Sequence, residues 1–367
     1  MGDNHAGKLL RSAEAVAYWG AAAPVLARLP AALGYRIACW RGDWLFRCQP
    51  GKRTEVGRNL RLALANELSP AAVQQANREW FRFASCEAVD VKRLRHRARP
   101  LRRLVEIHGR EHLEAALAAG QGAILCTGHF GSLNSGLSVL HASGFPVTAI
   151  ARWPRARPPS TRRPLPPPYN YNNGAGMSSA EQWLWDRVYV RPVRRHRQRP
   201  NIEPWPGRPQ AAVLAAAALR ANEVVTIAID APPLGSDRAR TVEVPFLGRR
   251  AGLLPGAVAI AQVTGAPLLM CFAYRAADYR HQVLEISAPV PAGAEDTATA
   301  FGRCAAEVSA AIRRNPAHWE FWGKTDALAG LGLIPPQPDE SPAAGPALPP
   351  PGRFLHDGSA DTVPARG

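Results

Sequence analysis

The sequence predicts an α/β fold: a central mixed, largely parallel sheet flanked by helices, preceded by a helical N-terminal region that associates with a membrane. Three observations carry this reading. From Val105 onward, strand-like and helix-like segments alternate, the chain order of βαβ units. Two strand segments, GAILCTGH ending at His129 and VVTIAID ending at Asp230, are short apolar runs of the kind buried on both faces of a sheet. The chain has 367 residues, 46% of them hydrophobic, enough for one large core.

The stretch from Ser12 to Arg47 is apolar with sparse arginine, and Arg28 and Arg36 break it into pieces. No uninterrupted apolar run reaches the ~18 residues of a bilayer span. Tyr18, Trp19, Trp40 and Trp44 interleave with arginine, as in a segment lying at headgroup depth. A hairpin of core helices would read the same way. Residues 53–90 read as helical, with Ser69-Pro70 as a start signal. KRLRHRARPLRR (92–103) is a basic run, either a solvated face or an anion contact.

VEIHG is then a strand, Arg110–Ala119 a helix, and GAILCTGH a buried strand. Ser132 opens a helix that stops at Gly144, and FPVTAIARW is the next strand. Residues 154–210 are rich in Pro, Gly, Asn and Arg and predict an irregular insertion, with one short helix near Ser178–Tyr189. The alternation resumes with helix AAVLAAAALRANE, strand VVTIAID, strand RTVEVPFLG, helix PGAVAIAQVTG, strands APLLMCFAYR and HQVLEISAPV, and helix Thr297–Arg314. After about Gly330 the Pro/Ala/Gly-rich tail predicts disorder. The expected organisation is 1–52 as the membrane-associating segment, 53–330 as the α/β domain with its insertion, and 331–367 as the tail.

Composition narrows the chemistry. Lys plus Arg number 45 against 29 Asp plus Glu, a formal net charge of +16, so anionic partners are favoured. No helix-turn-helix or aromatic–basic signal points to nucleic acid. The six cysteines show no CxxC pair or zinc-type spacing, which argues for a reduced setting and no metal. No P-loop or GxGxxG occurs.

The sharpest chemical feature is GAILCTGHFGSLNSG, residues 122–136. A buried strand delivers His129 to its C-terminal edge, where α/β sheets bind ligands. Gly128 and Gly131 permit a tight turn and leave room for a substrate. The helix that follows sets its positive end beside the imidazole. His129 is therefore placed as a general base, with the helix start available to an oxyanion. Asp230 ends a second strand expected at the same edge. It is a candidate partner for His129 or for an acceptor, or simply a turn-forming residue before Pro232-Pro233.

Gly128-His129-Phe130-Gly131 with a polar residue at 134 resembles the H-x4-D/E signature of the bacterial lipid A biosynthesis acyltransferases. Several further blocks follow in the order that family shows. They are VEIHGREHLEAALAAGQGAIL, GFPVTAIAR, LRANEVVTIAIDAPP, VEVPFLGRRAGLLPGAVAIAQVTGAPLLMCF and RRNPAHWEFW. The likeness covers about residues 10–325, excluding much of 154–205. It implies transfer of a fatty acyl group from acyl-carrier protein or coenzyme A to a hydroxyl of a lipid or glycolipid, with His129 as base and no further cofactor. The aromatic–arginine segment near the N-terminus adds the expectation of a location on the cytoplasmic face of the inner membrane, peripheral or weakly anchored. Gly131, Arg152, Asp230 and Arg249 fall where substrate contacts are expected. The departure is Asn134, where the family carries Asp or Glu. An amide can orient an imidazole but supplies no charge, and in the serine-protease triad such a change costs about 10⁴ in rate. Three outcomes follow: a working enzyme with a recruited carboxylate, a slow enzyme, or a relative that only binds acyl chains or the carrier.

Overall fold

The structure is a computed structural model that describes residues 17–64, 67–96, 103–151, 202, 210–233, 235–293 and 295–335. Arg152, the helix expected near Ser178–Tyr189, most of the insertion and, of the tail expected over 331–367, the part from 336 lie outside the described residues, whereas Leu331, Leu333 and Ile334 at its start are buried in the core, because their side chains are apolar, and are not disordered.

Among the described residues, eight strands form two sheets. The main sheet contains β1 (Val105–His108), β2 (Ala123–Thr127), β3 (Val147–Ile150), β4 (Val224–Ala228), β7 (Leu268–Arg275) and β8 (Gln282–Val290), in the spatial order β1-β8-β7-β2-β4-β3. Strands β7, β2, β4 and β3 are mutually parallel, and β8 turns back antiparallel to β7 with β1 parallel to β8. The sheet is therefore mixed and mostly parallel, as the alternation predicts. RTVEVPFLG does not join it. Its residues form β5 (Val242–Phe246), which pairs antiparallel with β6 (Arg249–Leu253) in a separate hairpin.

The inner strands are apolar because both faces are covered. Along β2, Ile124 and Cys126 face one core and Ala123 and Leu125 the other. Strand β7 alternates likewise, with Leu268, Met270 and Phe272 on one side and Leu269, Cys271 and Ala273 on the other. The first side is covered by α2 (Pro50–Leu64), α6 (Gln210–Arg220), α7 (Gly256–Thr264) and α8 (Thr297–Arg314). The second is covered by α4 (Arg110–Ala118) and α5 (Leu133–Ala142). Asp296 caps α8, its carboxylate accepting from the Ala298 and Thr299 amides.

The N-terminal helices build a third core. In α1 (Ala31–Cys48), Tyr35 and Ala38 pack on Cys86 and Val89 of α3 (Pro70–His96). The opposite face of α1 leaves Leu33, Trp40 and Trp44 exposed, Trp40 to 67%. The apolar stretch thus has a helix-packing face and an aromatic outer face. No helix among the described residues is long and apolar enough to cross a membrane.

Two glycines determine how tightly the His129 loop closes. Gly131 has φ +66°, and a Cβ there would lie 1.6 Å from the Ala273 carbonyl oxygen. A Cβ on Gly128 would lie 2.9 Å from both Asp230 Oδ2 and Val308 Cγ1. The chain itself therefore packs closely against both glycines on the side where a Cβ would stand. Gly131→Ala is expected to cost about 2–5 kcal/mol, from the unfavourable φ and the overlap combined. A urea midpoint equal to that of the native chain would refute this.

Candidate active site

Parallel pairing assembles the site. Thr127 of β2 stands opposite Ala228 of β4, and the Ile229 N–H donates to the Thr127 carbonyl at 2.9 Å. Two residues further along each strand, His129 and Asp230 emerge side by side at the carboxyl edge, the usual ligand edge of such a sheet.

Asp230 is fully buried, whereas the His129 side chain keeps 29% of its exposure. His129 Nδ1 lies 2.7 Å from Asp230 Oδ1. The His129 backbone N–H donates to Asp230 Oδ2 at 2.7 Å. The Trp319 indole N–H donates to the same oxygen, also at 2.7 Å. A carboxylate only accepts, so the proton of this pair resides on Nδ1 and Nε2 is left as the basic nitrogen.

Burial opposes the charged form of His129, but the charge and hydrogen bond of Asp230 outweigh it and hold the imidazole above its ordinary pKa. Burial likewise opposes ionisation of Asp230. The charge of His129, its hydrogen bonds and that of Trp319 prevail and keep its carboxyl below the usual range. Glu320, beside the ring, also favours the imidazolium, and Lys324 opposes it.

The strap 318–321 closes over the loop. The Gly131 N–H donates to the His318 carbonyl at 2.8 Å, and the Glu320 N–H to the His129 carbonyl at 3.1 Å. Phe321 packs on the imidazole with ring centroids 4.9 Å apart. Phe130 is buried among Phe272, Tyr274 and His318.

Of the residues singled out from the sequence, the structure brings His129 and Asp230 into contact. Asn134 lies in the first turn of α5, where its backbone carbonyl accepts from Ser138 Oγ at 2.6 Å. Nδ1, one of the two ring nitrogens that a residue at 134 could orient, is bonded to Asp230. Arg249 is on the β5–β6 hairpin, exposed, and donates to the Leu62 carbonyl at 3.2 Å, with no hydrogen bond to His129 or Asp230. Sequence reasoning took RRNPAHWEFW only as a matching block and missed that Trp319 holds the buried carboxylate. The available signal was the rule that a buried indole N–H needs an acceptor. Among the described residues, no cluster of three or more His, Cys, Asp or Glu is placed to hold a metal.

A buried carboxylate orienting a partly open imidazole at the edge of a parallel sheet is an arrangement able to carry general acid–base chemistry. The chain matches the family model described as bacterial lipid A biosynthesis acyltransferase over residues 6–160 and 195–324, and it belongs to that family. No curated protein sequence matches the chain.

The His129–Asp230 pair has a defined pH signature. Because His129 titrates above its unfolded value, the pair's contribution to stability is complete below about pH 6.5 and fades as pH rises through the folded His129 value. On the acid side it is lost as pH falls through the lowered Asp230 value. NMR titration is expected to place His129 above the ordinary histidine value. Asp230→Asn is expected to move it down, since burial is then no longer outweighed. An unchanged midpoint in the variant would contradict this electrostatic account.

Proposed function

We propose that the protein transfers a fatty acyl group from an acyl thioester, on acyl-carrier protein or coenzyme A, to a hydroxyl of a lipid or glycolipid acceptor. The family assignment supports acyl transfer to a lipid. The observation that carries the rest is the Asp230 carboxylate on His129 Nδ1. It supplies the charge that an amide at 134 lacks, and so favours a working enzyme over a relative that only binds. In this reading Nε2 takes the proton of the acceptor hydroxyl as its oxygen attacks the thioester carbonyl. Asp230 stabilises the imidazolium that forms. The tetrahedral intermediate then collapses, the C–S bond breaks, and the proton passes from His129 to the departing thiolate. No acyl-enzyme and no redox or metal cofactor is required. The net charge of +16 suits an acidic carrier and anionic lipid alike.

We further propose a peripheral position on the cytoplasmic face of the inner membrane, with α1 as the contact. Leu33, Arg36, Trp40, Trp44 and Arg47 recur at helical spacing on its exposed face. Removing α1 would strip the buried partner of α3, so the test is Trp40→Ser with Trp44→Ser. That variant is expected to sediment markedly less with anionic phospholipid vesicles while keeping its helical circular dichroism. Equal sedimentation would refute the contact.

The catalytic reading is tested by acyl transfer from radiolabelled acyl thioesters to lipid acceptors. His129→Ala is expected to lose about 10²–10⁴ in rate, to near background. Asn134→Asp is expected to keep or raise activity. Activity surviving in His129→Ala would remove the mechanism. A native chain that binds acyl chains but transfers none would establish the binding-only relative.

A further inference from the structure

Behind the His129 loop lies a buried polar cluster that the proposed chemistry does not use. Its centre is Arg275, at the end of β7, with a fully buried side chain. One Nη2 donates both to Asp90 Oδ2 of α3 and to Ser132 Oγ, the latter at 2.6 Å. Nη1 donates to the Tyr279 carbonyl at 2.5 Å. Asp90, itself 1% exposed, also accepts from the Tyr35 hydroxyl of α1, from Gln282 Nε2 at 3.2 Å and from Ser132 Oγ at 3.4 Å. Glu87 Oε1 lies 3.9 Å from Arg275. Burial and the neighbouring Asp90 push Glu87 up to about 8, while Asp90 makes the direct hydrogen bond to the guanidinium.

Ser132 links this cluster to the active site. It stands at the N-cap of α5, three residues after His129, yet its hydroxyl makes no cap bond to its own helix. A serine there ordinarily caps. Here Arg275 and Asp90 hold the hydroxyl instead. The strand reinforces the link, since Ala273, two residues before Arg275, bridges to Gly131.

We infer that Arg275 is a positioning residue for His129, acting through Ser132 to fix the loop against β7 and against the N-terminal helices. It touches no reacting atom. Its effect is on the orientation of the imidazole toward Asp230 and the substrate, where a displacement of about 1 Å can cost about 10²-fold in rate. The catalytic half of this inference rests on the acyl-transfer reading; the orientation half does not.

The test is a double-mutant cycle on the full chain with two readouts. Arg275→Lys keeps a charge for Asp90 but gives up the fixed planar fork that holds Asp90, Ser132 and the Tyr279 carbonyl at once. Ser132→Ala removes the link and leaves the ion pair. In histidine-labelled protein, the downfield Nδ1 proton of His129, identified by its loss in His129→Ala, is expected to shift or broaden in both single variants. Where acyl transfer is measured, kcat is expected to fall about 10–100-fold with KM changed less than about threefold. The double variant is expected to be no worse than the more affected single variant, because both act on one path. An Nδ1 signal at its native position in either single variant would overturn the inference, as would losses that add. Should the native chain transfer no acyl group, the acyl-transfer reading fails and the Nδ1 signal alone decides this inference.

Discussion

A fully buried carboxylate is the constraint around which this molecule is arranged. An ionised Asp230 with no water around it is tolerable only if its oxygens are bonded and its charge is met. Three donors from two distant stretches of chain meet it: the His129 backbone, the His129 ring and the Trp319 indole. The parallel register of β2 and β4 brings the first two to Asp230, and the strap after α8 brings the third. The glycines at 128 and 131 exist because the carboxylate and the β7 backbone approach too closely for any side chain. One electrostatic requirement thus sets a strand register, a loop sequence and the docking of the C-terminal aromatic segment.

Much of this was legible before any coordinates. Buried parallel strands need apolar side chains on both faces, and that requirement writes the short runs around Leu125 and Ile227 directly into the sequence. The same logic predicts that two such strands end at one edge, which made Asp230 a candidate beside His129. What stayed hidden depends on contacts between residues far apart in the chain. RRAGL carries two arginines and a glycine, so β6 has no strand signature of its own and exists because it pairs with β5. The reversal of β8 against β7 is decided by a short turn and by what covers the edge. Arg275 reads as one more arginine in a chain full of them, because its burial is a property of Asp90, Tyr35 and Ser132 together.

The substitution at position 134 takes on a different weight once the ring contacts are known. A motif of His and acid five residues apart suggests that both partners come from one loop and helix turn. In this chain the carboxylate bonded to the ring comes from a neighbouring strand, so the charge beside His129 does not depend on the residue at 134. Asp230 follows directly on the paired end of β4, and the indole bond fixes the oxygen the ring does not use.

That indole bond also orders events in time. His129 and Asp230 leave the ribosome well before Trp319, so a chain made only that far lacks the indole donor of the acid and the aromatic cover of the imidazole. The site is finished only when the last helical segments dock. Assembly of the His129–Asp230 site is thereby tied to completion of the fold, and a partly made chain holds its ingredients without its assembled form.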